Sequence, residues 1–235
     1  MVKRLRITVV VDNEPGEGLL NEWGWSVYME SEKWTILFDA DTSPRVLKYN
    51  FEKLKLDPKK ITFAFLSHHH GDHSGGFEYI GREVPGLKVF VPPGVRNYLR
   101  DWGLDPVRVD GALVLVEDAW STGPLWSIRG YSLYEHALAV KVDNVGLVVF
   151  VGCSHPGVDK LVEKAKKITG EEVYYVIGGY HKPSKRTLDN LAKLTKYMSP
   201  AHCSGDEAKN YVKNTYLEKY IPVKTGTVLE FGETT

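Results

Sequence analysis

Apolar residues in this chain come in short blocks separated by polar turns, a spacing that predicts strands first and covering helices after them. Leu5–Val11, Ser26–Met29 and Trp34–Phe38 read as strands, with Glu30-Ser31-Glu32-Lys33 as the turn between the second and third. Ile61-Thr62-Phe63-Ala64-Phe65-Leu66 is apolar almost throughout, the pattern of a strand buried on both faces. Lys88–Pro92, Val107–Val109, Leu113–Val116 and Leu125–Ile128 are further short strands. Val140–Val142 and Leu147–Val151 form a hairpin around Asp143-Asn144-Val145-Gly146, Val173–Ile177 is a buried strand, and Thr227–Phe231 is the last.

Helical spacing appears between these blocks. Ser43 is suited to cap a helix with Pro44 in its first turn and Val46, Leu47, Tyr49, Phe51 and Leu54 along one face. A second helix follows Pro92-Pro93-Gly94, with Val95, Tyr98, Leu99 and Trp102 on one side. Val158–Ile168 ends at Gly170, a C-capping residue. Ser184–Met198 carries Leu188, Leu191 and Leu194 inward, and a last helix runs from about Asp206 to Tyr220. No internal repeat or low-complexity linker interrupts the pattern, so residues 1–235 are expected to form one domain.

Composition narrows the functional classes. The 235 residues carry 30 basic and 30 acidic side chains, a net charge of zero that gives no general pull toward nucleic acid or an anionic membrane. No run approaches the ~18 apolar residues a membrane helix requires, and Met1–Ile7 lacks the apolar core of a signal peptide. The two cysteines stand in separate motifs, each near a histidine, which favours a reducing cytoplasm over a structural disulfide. The expected partner is a small molecule, with oligomeric state left open.

The chemistry concentrates at the end of the buried strand. Ser67-His68-His69-His70-Gly71-Asp72-His73-Ser74-Gly75-Gly76 holds four of the eight histidines. Side chains two apart on extended backbone point the same way, so His68 and His70 can meet at one metal ion. Asp72 and His73 follow in the turn, where a second ion could sit. Imidazole with one carboxylate suits zinc, iron or manganese better than calcium or magnesium. A catalytic zinc takes three protein ligands and keeps one position open, so each pair needs one more. The candidates are His136, His155, His181 and His202. Asp39, at a strand end, could orient a ligand histidine or simply favour the following helix start. Trp23 and Trp25 could anchor a loop or wall a cleft. Lys182, Lys185 and Arg186 could meet a phosphate or lie solvated at a helix start.

His68-x-His70-x-Asp72-His73 resembles the signature of the metallo-β-lactamase superfamily. Gly152-Cys153-Ser154-His155-Pro156-Gly157, Gly178-Gly179-Tyr180-His181 and Ala201-His202-Cys203-Ser204-Gly205 resemble its dihydropterin–ribofuranosylaminobenzene 5'-phosphate synthase-like branch. With Asp12-Asn13 and Leu37-Phe38-Asp39, the resemblance spans nearly the whole chain. It implies an α+β fold, the αββα sandwich of two mixed sheets face to face with helices outside. It implies two divalent transition-metal ions, zinc foremost, with iron or manganese as alternatives. His155 would join His68 and His70 at the first, and His202 would join Asp72 and His73 at the second. His181 would contact substrate or act as acid/base beside Asp72. Two departures stand out. Cys153 occupies the place of a carboxylate that usually bridges the metals, as a thiolate ligand or a packing residue, and Asp41 replaces a turn glycine. His136 is positioned like the superfamily's usual third histidine, so it stays open as a ligand. The implied activity is metal-dependent hydrolysis of a small, phosphorylated or pterin-like molecule. The alternatives are a metal-assisted transferase of the branch's kind and a non-catalytic metal-binding module.

Overall fold

A computed structural model describes residues 1–95 and 97–233. Seven strands form the first sheet: β1 (Arg4–Val11), β2 (Ser26–Ser31), β3 (Thr35–Phe38), β4 (Phe63–Phe65), β5 (Lys88–Val91), β6 (Asp105–Arg108) and, at the other edge beside β1, β15 (Val228–Gly232). Pairing is antiparallel from β15 to β3 and parallel from β3 to β6. The second sheet has six strands: β7 (Leu113–Val116), β8 (Ala119–Ser121), β11 (Leu138–Val142), β12 (Gly146–Val151), β13 (Val173–Gly179) and β14 (Thr195–Ala201). Its β12–β13–β14 half is parallel. A separate two-stranded ribbon pairs β9 (Leu125–Ser127) with β10 (Leu133–Glu135).

The two sheets bury their inner faces against each other, with Phe38, Phe65, Phe150, Tyr175 and Ile177 at the centre. Full burial of such side chains contributes about 1.5–3 kcal/mol each. Helices α1 (Pro44–Lys53), α3 (Phe77–Glu83) and α4 (Tyr98–Asp101) cover the first sheet. Helices α6 (Val158–Thr169), α7 (Lys185–Leu194) and α8 (Asp206–Thr215) cover the second. Two single-turn helices, α2 (Gly71–Ser74) and α5 (Arg129–Ser132), lie in loops. This is the expected αββα sandwich. No helix among the described residues is long and apolar enough to cross a membrane.

Local signals hold at some helix ends. Ser43 accepts from the Val46 amide with Pro44 in the first turn, and Gly170 takes the left-handed conformation after α6. The helix expected over Ser184–Met198 stops at Leu194, and Thr195–Ala201 is instead strand β14. Leu188 and Leu191 face inward as predicted, but Thr195 and Tyr197 pair in parallel register with Val173 and Tyr175. Pro200 is tolerated because β14 is an edge strand. The helix expected to reach Tyr220 likewise ends at Thr215, followed by a 3-10 turn at Leu217–Lys219. The sequence pattern also left out β8 and β10, three residues each.

The fold places its chemistry at one edge. β3, β4, β12, β13 and β14 all run into the site loops at their carboxyl ends, the crevice where open parallel sheets bind ligands.

Candidate metal centre

The turn after β4 puts His68, His70 and His73 on different vectors. His68 is fully buried, its Nδ1 2.9 Å from Ser67 Oγ and its Nε2 3.1 Å from His70 Nδ1. The one-turn helix α2 then brings in Asp72 and His73, the His73 ring 4.2 Å from that of His68. His155 arrives from the loop after β12, its ring 4.8 Å from His68 and 4.9 Å from His70. His68, His70 and His155 form one group whose ligand atoms lie within 4.8 Å of each other. Asp72, His73, Cys153 and His202 form a second group by the same measure. Cys153, His155 and His181 form a third that links the two. His69 belongs to none of these groups.

Three of the inward rings are held from behind. Glu135 Oε2 accepts from His155 Nδ1 at 2.9 Å and from the His155 amide at 2.8 Å. Asp39 Oδ2 is 2.6 Å from His73 Nδ1 while His73 Nε2 faces Cys153 Sγ at 3.1 Å. Asn13 Oδ1 is 3.0 Å from His202 Nδ1, and Asp12 Oδ1 accepts from the His202 amide at 2.7 Å. Such partners fix the tautomer and leave Nε2 as the donor atom for a metal. Asp39 therefore has the orienting role, and its carboxylate also takes the Ser67 amide and hydroxyl at 2.7 Å.

The donor set fits metal ions on an observation of its own. His202 Nε2 is buried with no hydrogen-bond partner and points at Asp72 Oδ2, 3.3 Å away. A buried imidazole lone pair without a partner is costly unless a cation takes it. Electrostatics agree. Burial, reinforced by neighbouring imidazoles, holds His68 well below the usual histidine range and so neutral. Burial acts to raise the Asp72 carboxyl, but His202 and His73 outweigh it and keep it ionised. Burial also opposes charge on His73, yet Asp39 and Asp72 raise it to about 9, so an ion entering here would displace a proton.

Other expected residues fall on either side. His181 is half-buried at the mouth, its ring 4.3 Å from His155, and a bond to Cys203 raises its proton affinity. His136 is not brought into any group. It is fully buried, Nδ1 2.8 Å from Ser121 Oγ and Nε2 2.9 Å from the Leu66 carbonyl, with its ring stacked on Phe65. Lys185 lies over the Tyr211 ring and Arg186 is exposed, so the start of α7 is a solvated helix end. Trp25 is a buried anchor, whereas Trp23 is 58% exposed, donates to Asp72 Oδ2 at 2.8 Å and leans on His202. Trp23 thus walls the cleft. Asp41 takes φ 60°, the conformation a glycine would supply, so the turn is kept despite the substitution. Both cysteines are free.

Glu135 was the residue the sequence did not flag. Its signal was a lone carboxylate beside His136 in an otherwise apolar stretch, Ala137-Leu138-Ala139-Val140 following. Backbone strain concentrates here too. Six of the ten described non-glycine residues with positive φ are Asp39, Asp41, Ser154, His181, Lys182 and His202. Gly152 is obligatory in the same turn, since a Cβ there would sit 2.1 Å from Ser67 Oγ.

The profile of the metallo-beta-lactamase superfamily matches residues 22–167, more than half of the chain. The chain belongs to the metallo-β-lactamase superfamily. A protein of Methanocaldococcus jannaschii named 7,8-dihydropterin-6-methyl-4-(beta-D-ribofuranosyl)-aminobenzene-5'-phosphate synthase is 28% identical over 272 residues, 90% of each chain. A ribonuclease Z of Lactobacillus helveticus is 24% identical over 80% of this chain and 72% of its own. Among solved structures, a metal-dependent hydrolase of the β-lactamase superfamily superposes with a TM-score of 0.80, at 24% identity, over 97% of this chain and 100% of its own. That superposition shows the fold.

Proposed function

We propose that this superfamily member is a dinuclear metal-dependent hydrolase of a small, phosphorylated or pterin-like substrate. The observation that carries the reading is the pair of adjoining ligand groups, with the buried His202 Nε2 aimed at Asp72 inside the second. His68, His70 and His155 would hold the first ion, and Asp72, His73 and His202 the second. Zinc suits these donors, with iron or manganese as alternatives. When bound, two such ions polarise a substrate oxyanion and bring the pKa of water toward neutrality.

The chain's own residues supply the rest. Asp72, fixed by the Trp23 indole, stays ionised and accepts a hydrogen bond from the nucleophile. His181, at the mouth and with raised proton affinity, delivers a proton to the leaving group. Trp23 offers a flat apolar wall on which an aromatic ring can lie. A net charge of zero supports a small molecule over nucleic acid as partner, and no membrane. Two free thiols in the cleft fit a reducing cytoplasm.

A transferase reading has one specific support, the synthase name of the Methanocaldococcus jannaschii relative over 90% of both chains. The same cleft would then stabilise an anionic leaving group during condensation. The test is a metal-reconstituted assay on phosphate esters in parallel with a pterin diphosphate plus an aminobenzene acceptor. Hydrolysis that requires metal and falls to background in Asp72→Ala, with the fold intact by circular dichroism, is the expected result. Condensation product without hydrolysis would select the transferase. Bound metal with neither reaction would make the chain a binding module.

A further inference from the structure

Asp41 carries a carboxyl into a place poorly built for an anion. It is fully buried, and no hydrogen bond of ordinary geometry reaches either of its oxygens. An ionised carboxylate left in that state is costly. Its neighbour is a second acid. Glu22, half-buried on the loop that carries Trp23, lies within hydrogen-bond reach of Asp41. Glu22 is itself fixed, its Oε1 accepting from the Ser43 amide at 3.0 Å. Two carboxylates in contact do not both ionise, so one keeps a proton and donates it to the other. The charges on neighbouring elements are engaged elsewhere. Asp39 serves His73 and Ser67, Asp72 and His73 on α2 face the metal cleft, and Arg45 in the first turn of α1 is exposed.

This acid pair sits where the Trp23 loop meets the turn into α1. Thr42 Oγ1 donates to the Trp23 carbonyl, and the Asp41 amide donates to the Trp25 carbonyl at 3.0 Å. Gly24 packs so closely that a Cβ there would lie 1.8 Å from Asp41 Oδ1. Beyond this grip, the Trp23 indole donates to Asp72 and leans on His202. We propose that Asp41 and Glu22 are positioning residues, one proton shared between their carboxyls clasping the Trp23 loop to the start of α1 and so seating the Trp23 wall on the cleft. The inference goes beyond the reaction proposed above and holds for hydrolase and transferase alike. Burial, aided by Glu22 and opposed by the Thr42 and Ser43 amides, raises the Asp41 carboxyl to about 9. Below that pH its O–H donates to Glu22. As pH rises through it the proton passes to solvent, two like charges face each other, and the loop is released. Glycine at position 41 would keep the turn, where φ is 60°, but could form no clasp.

Fluorine NMR of the zinc-loaded chain carrying 5-fluorotryptophan tests this without turnover, the Trp23 resonance being assigned by its loss in Trp23→Phe. As pH rises from neutral, wild-type Trp23 should move toward the shift of a solvent-exposed ring with a midpoint of about 9. Asp41→Asn should stay seated throughout, because its amide donates to Glu22 at every pH and asparagine tolerates positive φ. Glu22→Ala should already be released at neutral pH. The same midpoint kept in Asp41→Asn, a seated Trp23 in Glu22→Ala, or a wild-type resonance that does not move would each overturn the clasp. A wild-type resonance that shifts at neutral pH on addition of calcium would also overturn it, by putting a cation in place of the proton.

Discussion

His136 and His155 leave the same end of one antiparallel hairpin, His136 just before β11 and His155 just after β12. Both are buried, at 0% and 3% exposure. They differ in where the lone pair goes. The Leu66 carbonyl can only accept, so Nε2 of His136 carries the proton and its Nδ1 lone pair takes the Ser121 hydroxyl. In His155 the Glu135 carboxylate takes Nδ1–H, which leaves the Nε2 lone pair on a ring that faces His68 and His70. A histidine is thus made a ligand by its backing partner as much as by its place in the sequence. The position that the resemblance left open for a third histidine is a core residue here, and His155, 19 positions later, is the one that faces His68 and His70.

The largest effect on this contrast should come from its backing group. Glu135→Gln removes the charge behind His155 and should weaken metal binding at the first position by about 10–100-fold. Chelator competition checks it, and unchanged affinity would mean that Glu135 serves folding alone.

A smaller effect should appear on the His136 side and leave the centre untouched. Burial pushes His136 down to about 3. Below about 6.5 the unfolded chain takes up a proton that folded His136 refuses until about pH 3. Its contribution is therefore present in full above pH 6.5 and is lost as pH falls toward 3, at about 1.4 kcal/mol per unit for one proton. Denaturant titrations of the metal-free chain between those limits should show a shallower pH dependence for His136→Gln than for wild type. Equal slopes would show that His136 is charged in the fold, contrary to its hydrogen bonds.

Much of the first ligand group was legible because its cause is local. An apolar strand that stops at alternating histidines fixes both the strand and the direction of His68 and His70. The strand blocks followed by amphipathic helices fit the αββα order that the resemblance implied. What the sequence hid depends on long-range approach. Glu135 reaches His155 across 20 positions, and Asn13 reaches His202 across 189. Strand β14 was hidden because the leucine spacing of α7 carries straight into it, and only its pairing with β13 ends the helix. Trp23 could be told from Trp25 only by burial, since both stand in the same glycine-containing loop.

The central claim is that His155, not His136, completes the first position of a two-ion centre. Metal content by mass spectrometry, on wild type, His155→Ala and His136→Ala purified without chelator and reconstituted with zinc, tests it most directly. Wild type and His136→Ala should hold two ions per chain, and His155→Ala should fall to about one and lose turnover. Loss of an ion from His136→Ala with two retained by His155→Ala would contradict the account and return the third histidine to its usual superfamily position.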